Sequence, residues 1–217
     1  MKSILQIIEP EYLKRIHNGY YHTPTVYFHS NSAVRKLFWK RFSSIAKIIQ
    51  NSDIQYDTCL DFGGGSGVFL PTLSKLFKKV ILIDLEPTQA ILIKKKFKLD
   101  NCEIMKKNIF DCTFEKIDCI IAADVLEHFK NTDEIIVRLK KIMRKNTTLI
   151  TSLPTENWLY ILLRILFRQE KPIDHYYSSK EIKTRLKENG LIMNKKINIP
   201  LPQPFSLFNI NSWKLNA

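Results

Sequence analysis

The sequence predicts an α/β fold in which helices cover both faces of a doubly wound, mostly parallel sheet of about seven strands. Two observations predict it. Strand-like and helix-like segments alternate from residue 56 onward, and a glycine-rich turn directly follows the first strand-like run. Alternation of this kind is typical of parallel strands that are joined by right-handed helical crossovers.

Six strand-like runs precede a bend and a final strand. Their predicted bounds are Tyr56–Asp61, Lys79–Asp84, Asn101–Lys106, Ile117–Ala123, Thr147–Leu153 and Leu191–Ile199, followed by Phe205–Trp213. The helices between them are predicted at Ser66–Phe77, Thr88–Leu99, Thr132–Lys145 and Ser178–Asn189. Ser178 and Glu181 have the spacing of a capping box, and Gly190 follows the same helix as a stop signal.

Two helical segments lie outside this alternation and set the predicted domain organisation. Residues 1–51 form a helical prelude, in which Ser32–Gln50 carries an apolar face, and residues 52–217 form one globular domain. The domain has an insertion at 155–177 that contains an apolar segment at 157–168. We expect this segment to be buried or to form a lid, and self-association and peripheral membrane contact stay open.

The composition is that of a globular protein. The chain has 217 residues, of which 45% are hydrophobic and 25% charged, enough for one domain with a substantial core. No apolar run approaches the roughly 20 residues that span a bilayer, and the N-terminus lacks a signal-peptide layout, so a cytoplasmic location is expected. The four cysteines form no CxxC pair, which favours buried thiols over a disulfide or a metal site.

The net charge of +13 favours anionic partners in general. The lysines are scattered along the chain and outnumber arginine, the residue favoured for phosphate and base recognition. Nucleic acid is therefore a less favoured partner than a small acceptor, which the charge allows to be anionic.

The glycine turn carries the strongest chemical signal. Asp61 ends a strand-like run, and Gly63, Gly64, Gly65 and Gly67 follow within six residues. Glycine permits a sharp turn and a close approach of the backbone to a ligand. The spacing departs from GxGxxG because Val68 stands where the last glycine would fall, and no Gly-Lys-Ser/Thr follows, so the turn is not a typical phosphate cradle.

Polar residues also follow the next three strands. Asp84 ends the second strand, where an acid suits hydrogen bonds to ribose hydroxyls. Asn108 and Ile109 follow the third strand, where an amide can contact an adenine edge and an aliphatic side chain can cover the ring. Asp124-Val125-Leu126-Glu127-His128 follows the fourth.

In their order and spacing these segments resemble the class I S-adenosylmethionine-dependent methyltransferases of the small-molecule type. Asp61 to Gly67 matches the family's DxGxGxG motif, Asp84 its ribose-binding acid, and Asp124 to His128 its xxLEH segment. The resemblance covers about residues 55–200 and implies a Rossmann-like fold. It also implies S-adenosyl-L-methionine as cofactor and S-adenosyl-L-homocysteine as product.

Site residues follow from the motifs and the resemblance together. The expected cofactor-binding residues are Asp61, Gly63, Gly65, Gly67, Asp84, Leu85, Asn108, Ile109, Ala123 and Asp124. His128 is the candidate general base, needed only for a protonated oxygen or nitrogen acceptor, and His22, His29 and His175 are weaker alternatives.

No metal ligand is predicted. Asp124, Glu127 and His128 resemble an acid-x-x-Glu-His arrangement that holds a divalent ion in some quinone-pathway relatives. Here the first acid is Asp124, and the reach of an aspartate towards such an ion differs from that of the acid in those relatives.

The sequence thus predicts a methyltransferase that acts on an oxygen, nitrogen or carbon of a small-molecule, lipid or sugar-like acceptor. An RNA methyltransferase and a catalytically silent cofactor-binding protein are the alternatives, and a nicotinamide-dependent dehydrogenase is a fourth interpretation. The identity of the acceptor and the oligomeric state are not predicted.

Overall fold

A computed structural model describes residues 4–17, 24–52, 56–166 and 175–216 of the chain. The described helices are α1 Pro10–His17, α2 Ser32–Gln50, α3 Leu70–Leu76, α4 Thr88–Phe97, α5 Thr132–Ile142, α6 Trp158–Leu166 and α7 Ser179–Glu188. The described strands are β1 Thr58–Phe62, β2 Lys79–Asp84, β3 Cys102–Lys106, β4 Cys119–Ala123, β5 Thr148–Pro154, β6 Leu191–Ile199 and β7 Phe208–Leu215.

The strands form a seven-stranded sheet in the order β3-β2-β1-β4-β5-β7-β6. β1 pairs in parallel with β2 and β4, and β2 pairs in parallel with β3, whereas β7 runs antiparallel to both β5 and β6. The predicted doubly wound, mostly parallel fold is therefore confirmed. Within the described residues, none of the helices combines the length and the apolarity needed to cross a membrane.

Two compact units divide the chain, Met1–Ile121 and Ala122–Ala217. The core of the first unit lies around β1 and β2, where Leu60, Val80 and Leu82 are fully buried. Near-continuous apolar runs of this kind are typical of strands that are covered on both faces. The predicted boundary between residues 51 and 52 stays a prediction.

In the second unit, α5 lies against α7. Both helices bury apolar side chains, since Ile136, Leu139, Ile182 and Leu186 are fully buried. The predicted capping box is confirmed, because Ser178 accepts a hydrogen bond from the Glu181 N–H and the Glu181 side chain accepts from the Ser178 N–H. The predicted bounds of β2, β6 and α2 match the structure.

Other elements differ from prediction. α3 begins at Leu70 rather than Ser66, because Gly67 has a φ of 73° and the turn continues to Phe69. α1 was not predicted. Residues 18–23 of the prelude and residues 167–174 of the insertion lie outside the described residues.

The apolar insertion helix α6 also differs from the expectation of burial. Trp158, Ile161, Leu162 and Ile165 are between 40% and 68% exposed. Their spacing places them on one face of a helix. Burial by the described residues is therefore wrong for this face, and a lid stays a prediction. An apolar run predicts a helix that needs an apolar partner but does not say which partner covers it.

Candidate active site

The glycine turn between β1 and α3 has a backbone that non-glycine residues rarely adopt. Gly63, Gly65 and Gly67 have φ angles of 67°, 50° and 73°, all in the left-handed region. The Gly63 N–H donates to the Ile83 carbonyl at 2.8 Å, which fixes the start of the turn to the end of β2. The turn is thus held at the carboxyl ends of β1 and β2, where open α/β sheets bind ligands.

Two of the glycines are also required by space. A Cβ on Gly64 would lie 2.5 Å from Leu82 Cδ1 and 2.7 Å from an Asp61 carboxylate oxygen. A Cβ on Gly67 would lie 2.7 Å from the Ala90 Cβ in α4. Gly67, expected at the cofactor, therefore also permits close packing between the turn and α4.

The Asp84 carboxylate joins the end of β2 to the glycine turn. One oxygen accepts from the Gly65 N–H and the other from the Glu86 N–H, both at 2.8 Å. An ionised carboxylate has about four acceptor positions, so these bonds leave acceptor capacity for the hydroxyls of a ligand. Glu86 itself pairs with Lys106 at 2.7 Å.

Asp61 is a buried carboxyl group, only 4% exposed. Burial, and to a lesser extent the Asp84 carboxylate, raises the pKa of Asp61 from 3.8 to about 7. A cation placed beside this group would favour its ionised form. Asp61 thus suits a ligand that carries a positive charge.

Aromatic residues of the prelude cover the segment after the turn. Phe42 of α2 stacks on Phe69 with ring centroids 4.4 Å apart, and Tyr27 stacks on Phe42 at 5.8 Å. The Tyr27 hydroxyl accepts from the buried Arg41 guanidinium at 2.7 Å. Sequence reasoning missed this cluster. The apolar face of Ser32–Gln50 and the aromatic-rich segment that contains Tyr27 were its signals. Neither shows which element the aromatic rings pack against.

The expected cofactor-binding residues that follow β2 and β3 have different environments. Ile109 is buried, whereas Leu85 is 65% exposed. Asn108 is exposed, and its side-chain oxygen accepts from the Phe110 N–H at 3.1 Å, which caps a 3-10 helix at Ile109–Asp111. This cap leaves the Asn108 amide nitrogen as the donor that could contact a base.

In the second unit, the end of β4 is bonded to β5. The Asp124 N–H donates to the Ser152 carbonyl at 2.8 Å, and the Ser152 hydroxyl donates to the Asp124 carboxylate at 3.3 Å. Asp124 has a φ of 55°, although it is not glycine. Strained backbone of this kind is concentrated at functional sites. Ala123, which precedes it, is half-buried.

His128 lies in a 3-10 helix, Leu126–His128, directly after this segment. Its ring contacts that of His175 in an edge-to-face arrangement with centroids 4.7 Å apart. His175 Nδ1 lies 3.2 Å from a Glu156 carboxylate oxygen. Of the alternative bases, His175 therefore lies beside His128, whereas His29 Nδ1 accepts from the Asn31 N–H in the first unit and His22 lies outside the described residues.

Comparison with known proteins identifies the family. The family model described as a methyltransferase domain matches residues 31–195, which include the glycine turn, Asp84 and His128. The chain belongs to the methyltransferase domain family. This membership confirms the resemblance seen in the sequence, and the matched range extends into α2 of the prelude.

Two curated relatives and one solved structure illustrate the similarity. A probable ribosomal RNA small subunit methyltransferase A of Methanosphaera stadtmanae is 35% identical over 79 residues, which is 35% of this chain and 29% of the relative. A ubiquinone biosynthesis O-methyltransferase of Bradyrhizobium diazoefficiens is 23% identical over 174 residues, which is 73% of this chain and 65% of the relative. This chain therefore spans less than two thirds of the length of either relative.

The N-methyltransferase NodS of Bradyrhizobium japonicum, solved with S-adenosyl-L-homocysteine, superposes with a TM-score of 0.68 at 14% identity. The alignment covers 100% of both chains. At this identity the likeness shows the fold of the methyltransferase domain and carries no residue role.

Proposed function

We propose that this protein transfers a methyl group from S-adenosyl-L-methionine to an oxygen, nitrogen or carbon of a small-molecule, lipid or sugar-like acceptor. The observation that carries the proposal is the glycine turn bonded to Asp84, whose geometry suits a ligand that approaches the backbone closely. Membership of the methyltransferase domain family supports the reaction class.

The described residues fit the chemical groups of this cofactor. Backbone atoms of Gly63 and Gly65 can contact its methionine portion, Asp84 can accept from the ribose hydroxyls, and Asn108 can contact the adenine. Asp61 suits the ammonium group, because the pKa of this buried carboxyl is raised to about 7 and a cation offsets its burial. The proposed cofactor-binding set also includes Gly67, Leu85, Ile109, Ala123 and Asp124.

When bound, the cofactor supplies a methyl group that is already electrophilic, because it is attached to a positively charged sulfur. The protein has to align the acceptor and exclude water, and alignment of this kind contributes about 7–11 kcal/mol in well-oriented reactions. For a hydroxyl or an ammonium acceptor, we propose that His128 accepts the proton, a role worth about 10²–10⁴-fold in rate.

Three observations bear on the class of acceptor: the named relatives, the net charge and the exposed face of α6. The ubiquinone biosynthesis relative is named as an O-methyltransferase and NodS as an N-methyltransferase. The net charge of +13 favours an anionic acceptor. The exposed face of α6 suits an apolar portion of an acceptor or a membrane surface. The cytoplasmic location stays a prediction.

Calorimetry with S-adenosyl-L-homocysteine and with NAD⁺ tests the cofactor. Binding of the first without the second supports the proposal, and the reverse result contradicts it. Transfer of a labelled methyl group into fractions of a cell extract then identifies the acceptor. The Asp84→Ala variant is the background control, because it retains His128 while losing the proposed ribose contact.

RNA methylation is a second candidate, favoured by the similarity of 79 residues to a probable ribosomal RNA methyltransferase and by the positive charge. RNA binding that relies on phosphate contacts weakens steeply with salt. A filter-binding assay between about 50 and 200 mM salt separates the two candidates. Strong, salt-dependent RNA affinity with label transfer into RNA supports this alternative. Cofactor binding without transfer to any fraction supports a catalytically silent protein.

A further inference from the structure

We propose that a cluster of polar side chains between α7 and the β6–β7 edge of the sheet binds the phosphoryl group of a phosphomonoester or of inorganic phosphate. The members of this cluster are Lys183 and Lys187 of α7, Lys196 of β6 and Asn211 of β7. All of them lie in the second unit, and none belongs to the proposed cofactor-binding set. The proposal therefore does not depend on methyl transfer.

The register of the sheet places Lys196 and Asn211 on one face. They are paired directly in the antiparallel ladder of β6 and β7, and residues that lie directly opposite each other share a face of the sheet. Asn209 lies two residues before Asn211 in β7 and so points to the same side. Its side-chain oxygen accepts a hydrogen bond from Lys183 Nζ at 2.9 Å, so α7 covers this face. Lys187 follows Lys183 by one helical turn, which makes the two side chains neighbours.

Positive charge is concentrated at this cluster. Lys183 is half-buried, and burial, followed by the ammonium groups of Lys196 and Lys187, lowers its pKa. Among the described residues, neither Lys187 nor Lys196 has a hydrogen-bond or ion-pair partner. Burial of a charge and repulsion between like charges both cost free energy. An anion bound among the three ammonium groups offsets both costs.

A buried amide beneath the lysines supports the assignment independently. Asn211 is fully buried, and in the part of the chain that the structure describes neither its Oδ1 nor its Nδ2 has a hydrogen-bond partner. The adjacent Asn209 differs, since it accepts from the Ser179 hydroxyl at 3.2 Å and donates to Asn198 Oδ1 at 2.9 Å. The Asn211 amide has two N–H donors that a phosphoryl oxygen can accept. Because this amide is closed to solvent, the ligand reaches it when the flexible Lys183 side chain turns from Asn209 towards the anion.

The charge of the cluster selects the class of anion. A phosphomonoester carries about −1.5 to −2 charges at pH 7 and has three acceptor oxygens, which suits three ammonium groups and an amide. A phosphodiester of a nucleic acid carries one charge per phosphate and leaves more of the positive charge uncompensated. Lysine binds phosphate as a point charge, whereas the planar fork of arginine suits carboxylates. A phosphomonoester or inorganic phosphate is therefore the favoured ligand.

Calorimetry and thermal unfolding of the full chain, without cofactor, test the site with inorganic phosphate and with glycerol phosphate. We expect both probes to bind and to raise the unfolding midpoint, because a ligand that binds only the native state stabilises it. Sodium chloride at the same ionic strength should not do so, since it screens charges without occupying the site. An equal effect of chloride would identify a general salt effect and overturn the proposal.

Vesicles distinguish a soluble ligand from a lipid headgroup. Phosphatidic acid is a phosphomonoester, whereas phosphatidylglycerol is a phosphodiester. Binding to phosphatidylcholine vesicles that contain phosphatidic acid, with release on addition of glycerol phosphate, supports a lipid source. Binding of glycerol phosphate without binding to these vesicles supports a soluble source. Equal binding to phosphatidylglycerol vesicles, without competition by glycerol phosphate, would show only a basic surface and contradict a phosphomonoester site.

Variants separate this site from the general positive charge of the chain. Lys187→Ala and Lys183→Met should each weaken phosphate binding about tenfold or more, the scale of a lost hydrogen bond to a charged group. Lys95→Ala is the matched control, because it removes the same charge from an exposed position in the other unit. It should leave the phosphate affinity unchanged. If Lys183→Met does not fold, Lys187→Ala decides, because Lys187 is exposed.

Asn211→Leu provides a readout that a purely structural role would not give. Without phosphate this variant should be at least as stable as the unmodified protein, because it removes an unsatisfied buried amide. Its phosphate affinity should nevertheless fall about tenfold. Unchanged affinity in this variant or in folded Lys187→Ala would overturn the proposed site. So would the absence of phosphate binding by the folded, unmodified chain.

Discussion

The Asp84 carboxylate accepts a hydrogen bond from the Gly65 N–H at 2.8 Å, so the acid at the end of β2 holds the glycine turn that follows β1. The two residues are distant in sequence but adjacent at the sheet edge where the proposed cofactor binds. Asp84 therefore serves two purposes in our proposal, since it fixes the shape of the turn and offers acceptors to the ribose.

Removal of this carboxylate should weaken cofactor binding. We expect Asp84→Ala to reduce the affinity for S-adenosyl-L-homocysteine by about 1.5–3 kcal/mol, the scale of hydrogen bonds to charged groups. Calorimetry measures the change. Glu86→Gln is the control, because Glu86 pairs with Lys106 and has no proposed role in binding. Equal affinities of the two variants would show that Asp84 is not a cofactor ligand.

The glycine turn has no room for a side chain at Gly64. Gly64→Ala places a Cβ 2.5 Å from Leu82 Cδ1, and overpacking of this kind costs about 1–3 kcal/mol. We expect lower stability in urea and weaker cofactor binding. Gly190→Ala is the matched variant. Its φ of 80° would be strained for alanine, but its Cβ would lie at an ordinary contact distance of 3.5 Å from Lys140 Nζ. It should lose stability while retaining cofactor affinity.

The raised pKa of Asp61 predicts a pH dependence of stability. Between pH 4 and about 7 the folded protein keeps a proton on Asp61 that the unfolded chain releases, because the pKa is about 7 when folded and 3.8 in the reference state. The free energy of unfolding that this group contributes therefore falls as pH rises through that range. Asp61→Asn lacks the effect, so its stability relative to the unmodified protein should rise from pH 5 to pH 8. Urea unfolding without cofactor measures the stability of both proteins at each pH. A difference in stability that does not change with pH would contradict the raised pKa of Asp61.

The same carboxyl group predicts proton release on cofactor binding. If the ammonium group of the cofactor contacts Asp61, binding below about pH 7 ionises the carboxyl. The calorimetric enthalpy at pH 6 should then depend on the ionisation enthalpy of the buffer. Asp61→Asn should show less of this dependence, and an unchanged dependence would assign the proton to another group.

The exposed face of α6 predicts an asymmetric response to truncation. Ile165 is 68% exposed and Ile182 of α7 is fully buried. We expect Ile165→Ala to change the free energy of unfolding by less than about 0.5 kcal/mol. Ile182→Ala should cost about 2–5 kcal/mol. A large loss for Ile165→Ala would show that this face is covered in solution, for example by a second copy of the chain.

Much of the first unit could be predicted because its signals are local. The Asp61–Gly67 motif combines strand, turn and close approach within consecutive residues, so its sequence alone indicated both the turn and its position. The predicted end of α3 lies one residue from the observed end, whereas its predicted start lies four residues before the observed start. The helical pattern after Ser66 does not show that Gly67 adopts a left-handed φ.

The sequence by itself determined the alternation of strands and helices, the glycine turn, the acid at Asp84 and the family. Each depends on residues that are close in the chain and on backbone preferences that act locally. Only the tertiary structure decided that Phe42 stacks on Phe69, that His175 joins Glu127 and His128, and that one face of α6 is exposed. These relationships join segments far apart in sequence, or depend on what covers a surface, so packing rather than local preference sets them.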